Sequence, residues 1–94
     1  GPLGIAVGEV NAQTARSLGL SRPTGVIVTR VDPDGTAARA GVREGDLILE
    51  VNRRTVSSVR EWHERIRSVS RGEMVLLRLQ RGESAIYIAV RNDR

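Results

Sequence analysis

Four stretches of this chain, Gly25–Val31, Leu47–Asn52, Met74–Gln80 and Ser84–Val90, are rich in aliphatic and β-branched residues, each bounded by a glycine, proline or polar turn. Runs of that length build strands rather than helices, so the chain is committed to a sheet of short segments. Gly25–Val31 is followed by Asp32-Pro33-Asp34-Gly35, where the proline ring and the permissive glycine dictate a turn. Leu47–Asn52 is apolar at nearly every position, the pattern of a central strand buried on both faces. Met74–Gln80 and Ser84–Val90 alternate and are joined by Arg81-Gly82-Glu83, which makes them a hairpin. Although 39% of the 94 residues are hydrophobic, Trp62 and Tyr87 are the sole aromatics. The core is therefore aliphatic. At this length it belongs to one domain that buries roughly 60–65% of the unfolded chain's surface.

Helices fill the intervals. Asn11 caps Ala12–Leu18, which Gly19 ends, and Thr36 caps the single turn Ala37–Ala40, which Gly41 stops. Ser57 or Ser58 caps the longest helix, running to about Val69 and ended by Gly72, with Glu61 as its capping-box partner. Val59, Trp62, Ile66 and Val69 make one apolar stripe on it. At the other end of the chain, Leu3 to Val10 alternates as a strand, with Leu3, Ile5 and Val7 on one face. Gly1-Pro2-Leu3-Gly4 resembles the scar of a cleaved purification tag, overlapping a native Leu-Gly, so residues 5–94 are expected to form the single domain. The sum is an α+β fold of five to six short, largely antiparallel strands and two to three helices, with the longest helix late.

Charge and chemistry exclude more than they assign. All 15 basic residues are Arg against 11 acids, for a net charge of +4. The excess lies wholly in residues 48–94, where Arg60 and Arg65 stand four positions from Glu64 and Glu61, the spacing of ion pairs on a solvated helix face. Without a long basic run or an aromatic stacking platform, nucleic acid is not an expected partner. No apolar run reaches the ~18–20 residues of a membrane span, no signal segment is found, and direct membrane insertion is not expected. The absence of Cys removes disulfides, thiolate metal sites and a cysteine nucleophile. One histidine, His63, leaves no His-pair metal motif. There is no Gly-x-Ser-x-Gly elbow, and the Gly41–Asp46 segment lacks the Lys-Ser/Thr ending of a phosphate loop. No catalytic residue, metal or cofactor is expected.

What remains is a surface for binding. Leu3-Gly4-Ile5, an apolar–Gly–apolar lead into a strand, leaves successive backbone N–H groups free to converge on an anion. The strand Ile5–Val7 then offers an edge that pairs with an extended peptide. Val59, His63 and Ile66, at i, i+4 and i+7 on the long helix, would form the facing wall. The same alternation equally describes an ordinary edge strand that covers the core.

The stretch Gly25-Val26-Ile27-Val28-Thr29-Arg30-Val31, with Thr36 through Gly41-Val42-Arg43-Glu44-Gly45-Asp46-Leu47-Ile48-Leu49-Glu50-Val51-Asn52, resembles a PDZ domain of the permuted bacterial type. The likeness runs from Leu3 to Val90 and is closest in look to the second, C-terminal PDZ domain of HtrA/Deg-type envelope serine proteases. It implies a PDZ-like, partly open antiparallel β-barrel or sandwich capped by helices. It also implies a non-catalytic module that recognises hydrophobic C-terminal peptides or unfolded proteins in the bacterial periplasm or cell envelope. Other domains of the parent protease are implied as further partners. By position, Leu3, Gly4 and Ile5 fall on the carboxylate-binding loop, and Ala6 and Val7 on the peptide-pairing strand. Val59, His63 and Ile66 fall on the groove-facing helix. The pocket for the last side chain would be Leu3, Ile5, Val7, Val59 and Ile66. The rival implication is a closed groove that serves oligomer assembly instead.

Overall fold

A computed structural model describes residues 2–93. Its frame is an open antiparallel sheet in the order β1 (Ile5–Glu9), β2 (Val26–Val31), β3 (Leu47–Val51), β5 (Met74–Arg81), β6 (Ser84–Arg91), with the short β4 (Arg54–Thr55) folding back on β3. Three helices join it: α1 (Ala12–Ser17), α2 (Thr36–Ala40) and α3 (Val59–Arg67), the longest. A 3-10 turn, Pro2–Gly4, precedes β1. The expected strand and helix content is thus met by six strands and three helices among the described residues.

The patterning explains the layers. β3 pairs with β2 on one side and β5 on the other. Ile48 and Val51 enter the main core, whereas Leu47 enters a smaller cluster with Val10 and Ala15 beneath α1. Both faces of the strand are therefore covered, as its unbroken apolar run requires. On the hairpin, Val75, Leu77 and Leu79 are buried opposite Val90, Ile88 and Ile86. Trp62 is wholly buried and, with Ile66 and Val69, carries the inward face of α3 into this aliphatic core. The ladder between β1 and β2 slips by one residue: Ala6 faces Arg30 but Val7 faces Val28, leaving Thr29 as the extra residue of a bulge. The Thr29 hydroxyl donates to the Ala6 carbonyl at 3.1 Å, which satisfies a backbone group at the slip.

Several boundaries differ from expectation, for local reasons. β1 starts at Ile5, because Leu3 and Gly4 turn left-handed. The helix α2 begins one residue early, with Gly35 as its N-cap, and Thr36 makes no side-chain cap. The preceding turn organises itself instead: Asp32 Oδ1 accepts from Asp34 N–H at 2.9 Å, and Gly35 N–H donates to the Asp32 carbonyl at 3.0 Å. The helix α3 ends at Arg67, well before Gly72, because buried Asn92 takes over the chain beyond it. Asn92 Nδ2 donates to the Val69 carbonyl at 3.0 Å, and Gly72 N–H donates to the Asn92 carbonyl at 2.6 Å. Arg60 pairs with Glu64 at 3.7 Å, but Arg65 does not pair with Glu61. Glu61 Oε1 accepts from Ser57 N–H at 2.7 Å and Arg65 Nη2 donates to the Thr55 carbonyl at 3.2 Å, so both groups are already engaged. Gly1 and Arg94 lie outside the described residues.

Asp46 is 1% exposed and is bound from two directions. Arg81 Nε and Nη2 each donate to its carboxylate at 2.8 Å, and Arg43 N–H donates at 2.9 Å. Burial works to raise its pKa, but the Arg81 hydrogen bonds, the Arg43 amide and the two guanidinium charges outweigh it and hold it below the ordinary 3.8. A carboxyl with a lowered folded-state pKa stabilises fully above its unfolded value and loses that contribution as pH falls through the folded value. Asp46→Asn leaves Arg81 facing a neutral buried acceptor. Its expected cost at pH 7 is about 2–4 kcal/mol, toward the lower part of the range for a broken buried pair because Arg81 keeps some solvent contact. Urea unfolding at pH 7 should show that loss, and unfolding below about pH 4 should show wild type converging on the variant.

Candidate functional site

The strand β1 is the last strand of the sheet on its side, and α3 lies beside it. The start of α3 explains how the two are joined. Its N-cap, Ser58, accepts from Glu61 N–H at 3.1 Å. The orphan N–H of Val59 is taken by Glu9 Oε1 at 3.0 Å, from a residue 50 positions earlier in the chain. A helix start ordinarily satisfied by its own cap or by water is therefore clasped to the end of an edge strand.

The opposite end of β1 is the turn Pro2–Gly4. Leu3 has φ 63° and ψ 9°, and Gly4 has φ 72°, so two successive residues are left-handed. For a leucine this costs about 1–2 kcal/mol, and it persists because its surroundings fix it. The Leu3 side chain is buried at 3% exposure, and the Gly4 carbonyl accepts from Asp32 N–H at 2.8 Å. A Cβ on Gly4 would stand 3.2 Å from Asp32 Cβ and 3.3 Å from Gly35 Cα. Close backbone approach and positive φ together demand glycine here. Around this turn, Gly4, Ile5, Ala6, Arg30, Asp32 and Pro33 line an open depression of about 490 Å³ on the β1–β2 face.

The expected site residues divide by burial. Leu3, Ile5 and Ile66 are core side chains, the last two each 1% exposed. Gly4, Ala6, Val7 and Val59 are half-buried, and His63 is exposed. The expected five-residue pocket is thus split: three members form packed floor, and Val7 and Val59 are the two that meet solvent. Among the described residues, no three of His, Cys, Asp and Glu gather as a metal site would require.

A PDZ domain family model matches residues 27–81, more than half of the chain. This chain belongs to the PDZ family. It is 37% identical over 92 residues to a probable periplasmic serine endoprotease DegP-like from Chlamydia trachomatis, a match covering 97% of this chain and 18% of that protein. The domain therefore spans less than a fifth of that curated relative. Among solved structures, the HtrA-type protease AlgW with decapeptide superposes with a TM-score of 0.84 at 27% identity, covering 97% of this chain and 28% of that one. The HtrA3 PDZ domain bound to a phage-derived ligand superposes with a TM-score of 0.83 at 24% identity, covering 97% and 84%. As a PDZ module the domain is non-catalytic.

Sequence reasoning missed Glu9. The signal was present, since the alternation that puts Ile5 and Val7 on one face puts Glu9 there as well. Glu9 is exposed at the end of that stripe, where its carboxylate accepts from a backbone amide of α3. The Gly4 geometry yields a direct expectation. Gly4→Ala adds left-handed strain and a contact that the Asp32–Gly35 backbone must absorb, for a loss of about 1–3 kcal/mol. Thermal unfolding measures the loss, and amide shifts in the variant should move first around Leu3–Ala6 and Asp32–Gly35.

Proposed function

We propose that this PDZ domain captures the hydrophobic C-terminal ends or unfolded segments of other proteins by adding them as a strand to β1. The observation that carries the reading is the left-handed Leu3-Gly4 turn at the head of an edge strand with α3 alongside. Successive amides in such a turn form a concavity for an anion, here the free carboxylate, with Leu3, Gly4 and Ile5 as its frame. The backbone of Ile5–Val7 supplies the ladder. The last side chain enters beside Ile5 over the floor of Leu3 and Ile66, Val7 and His63 meet the residue two before the end, and Val59, bonded to Glu9, lines the groove beyond them. An aliphatic lining favours terminal Val, Leu, Ile, Ala or Phe. Burying one such side chain contributes roughly 1.5–3 kcal/mol. An interface under about 1,200 Å² fits affinity on the order of micromolar. The AlgW structure holds a decapeptide and the HtrA3 PDZ domain a phage-derived ligand, which supports the reading. By the same likeness, the domain serves as the recognition module of an HtrA-type serine protease of the bacterial periplasm or cell envelope.

A second reading has its own observation. Leu3, Ile5 and Ile66 are buried and Glu9 is clasped to α3, which supports a closed module that holds protease subunits together. Titration of the labelled domain with a peptide ending in Val, as free acid and as amide, separates the two. Peptide capture moves amides in residues 3–8 and 59–66, and amidation weakens binding tenfold or more. Equal binding of both forms sinks the carboxylate role, and no movement at all favours the closed module.

A further inference from the structure

The Glu9 clasp bears on which ligands the groove accepts, an inference that rests on the peptide-capture reading above. A strand laid antiparallel along β1 with its carboxylate at the Leu3-Gly4 turn places its last residue beside Ile5. Its third-last then lies beside Val7 and its fifth-last beside Glu9, since strand neighbours on one face repeat every second residue. Glu9 Oε1 accepts from Val59 N–H at 3.0 Å, so this side chain crosses from one wall of the groove to the other where the fifth-last ligand residue arrives.

The charge balance there has a definite sign. The helix start contributes about half a positive charge, and the Glu9 carboxylate contributes a full negative one. Glu9 forms no ion pair among the described residues, and Arg60, on the first turn of α3, is paired with Glu64 at 3.7 Å. The mouth of the groove is therefore left net negative, in a chain whose overall charge is +4. Once Glu9 is neutralised, the partial positive charge of the helix start is met by the Glu61 carboxylate in the same first turn, and the spot keeps no strong sign.

We propose that Glu9 is a specificity-determining residue that selects a cationic side chain four positions before the ligand's C-terminus and rejects an acidic one. The partner chemistry is thus an extended peptide with an aliphatic end and a Lys or Arg at that fixed distance. For a solvent-exposed pair the effect is about two- to fivefold in affinity.

The test uses the domain as it stands and three free-acid peptides, acetyl-Ser-X-Ser-Thr-Ala-Val with X as Lys, Gln or Glu, titrated calorimetrically at pH 7 and low salt. Wild type should bind them in the order Lys, Gln, Glu. Glu9→Gln keeps a carbonyl oxygen for the Val59 amide but removes the charge, and the three affinities should converge. Should that variant fail to fold, wild type decides the matter at low and high salt, because a charge preference must shrink as salt screens it. Equal affinities for the three peptides, with amidation still abolishing binding, overturn the role of Glu9 and leave peptide capture standing. The same holds for a Lys preference that persists in Glu9→Gln or does not respond to salt. If none of the peptides binds, or their amides bind as well, the capture reading falls and takes this inference with it.

Discussion

The carboxylate of Asp46 is where the sheet is tied together. Through it Arg81, at the end of β5, is joined to Arg43 in the loop before β3. Arg81 continues to the carbonyl of Gly41, the residue that ends α2. The Asp46 backbone reaches the other way, its carbonyl accepting from Val28 N–H on β2 at 2.8 Å. One side chain and its own peptide group thus connect β2, α2, the loop before β3 and β5. An isolated buried carboxylate would be costly, and this one is retained because each of its oxygens has a charged or backbone donor. The position of β2 relative to β3 follows from that tie, and the position of β1 follows from β2.

The parts legible in the sequence are those whose cause is local. Runs such as Leu47–Val51 and the alternation of Met74–Arg81 declare their strands because side-chain period and burial are properties of the segment itself. The α1 cap is equally local, with Asn11 accepting from Thr14 N–H at 2.8 Å. The misplaced features depend on partners far along the chain. The end of α3 is set by Asn92, whereas its start falls at the expected Ser58 cap and only the added Glu9 bond comes from afar. The cap of α2, by contrast, is a local miss of one residue, Thr36 being the first helical residue after Gly35. The stripe of Leu3, Ile5 and Val7 was correctly assigned to one side of the chain. Alternation alone gave no means of telling a residue that lines a groove from one that supports it from below.

That distinction governs the candidate site. Its framework is rigid, because Leu3, Ile5 and Ile66 belong to the same core as Trp62. Its adaptable elements are the half-buried Val7 and Val59, the exposed His63 and the hydrogen bond from Val59 to Glu9 that joins β1 to α3. The Leu3-Gly4 end of the candidate site is pre-formed by strain and burial, while its other end is joined to α3 through one exposed side chain.

The bulge opposite Ala6 has a further consequence for how the molecule behaves in a crowd. A strand edge that can receive a peptide can also receive the edge of another copy, the route by which sheets fuse into aggregates. By adding Thr29 on β2, the bulge increases the local twist partway along a strand of five residues. Two such edges cannot lie flat against each other over more than a residue or two, whereas a flexible peptide can follow the turn. Thr29 therefore bears on whether the domain stays monomeric at high concentration, although it lies on neither the groove nor the core.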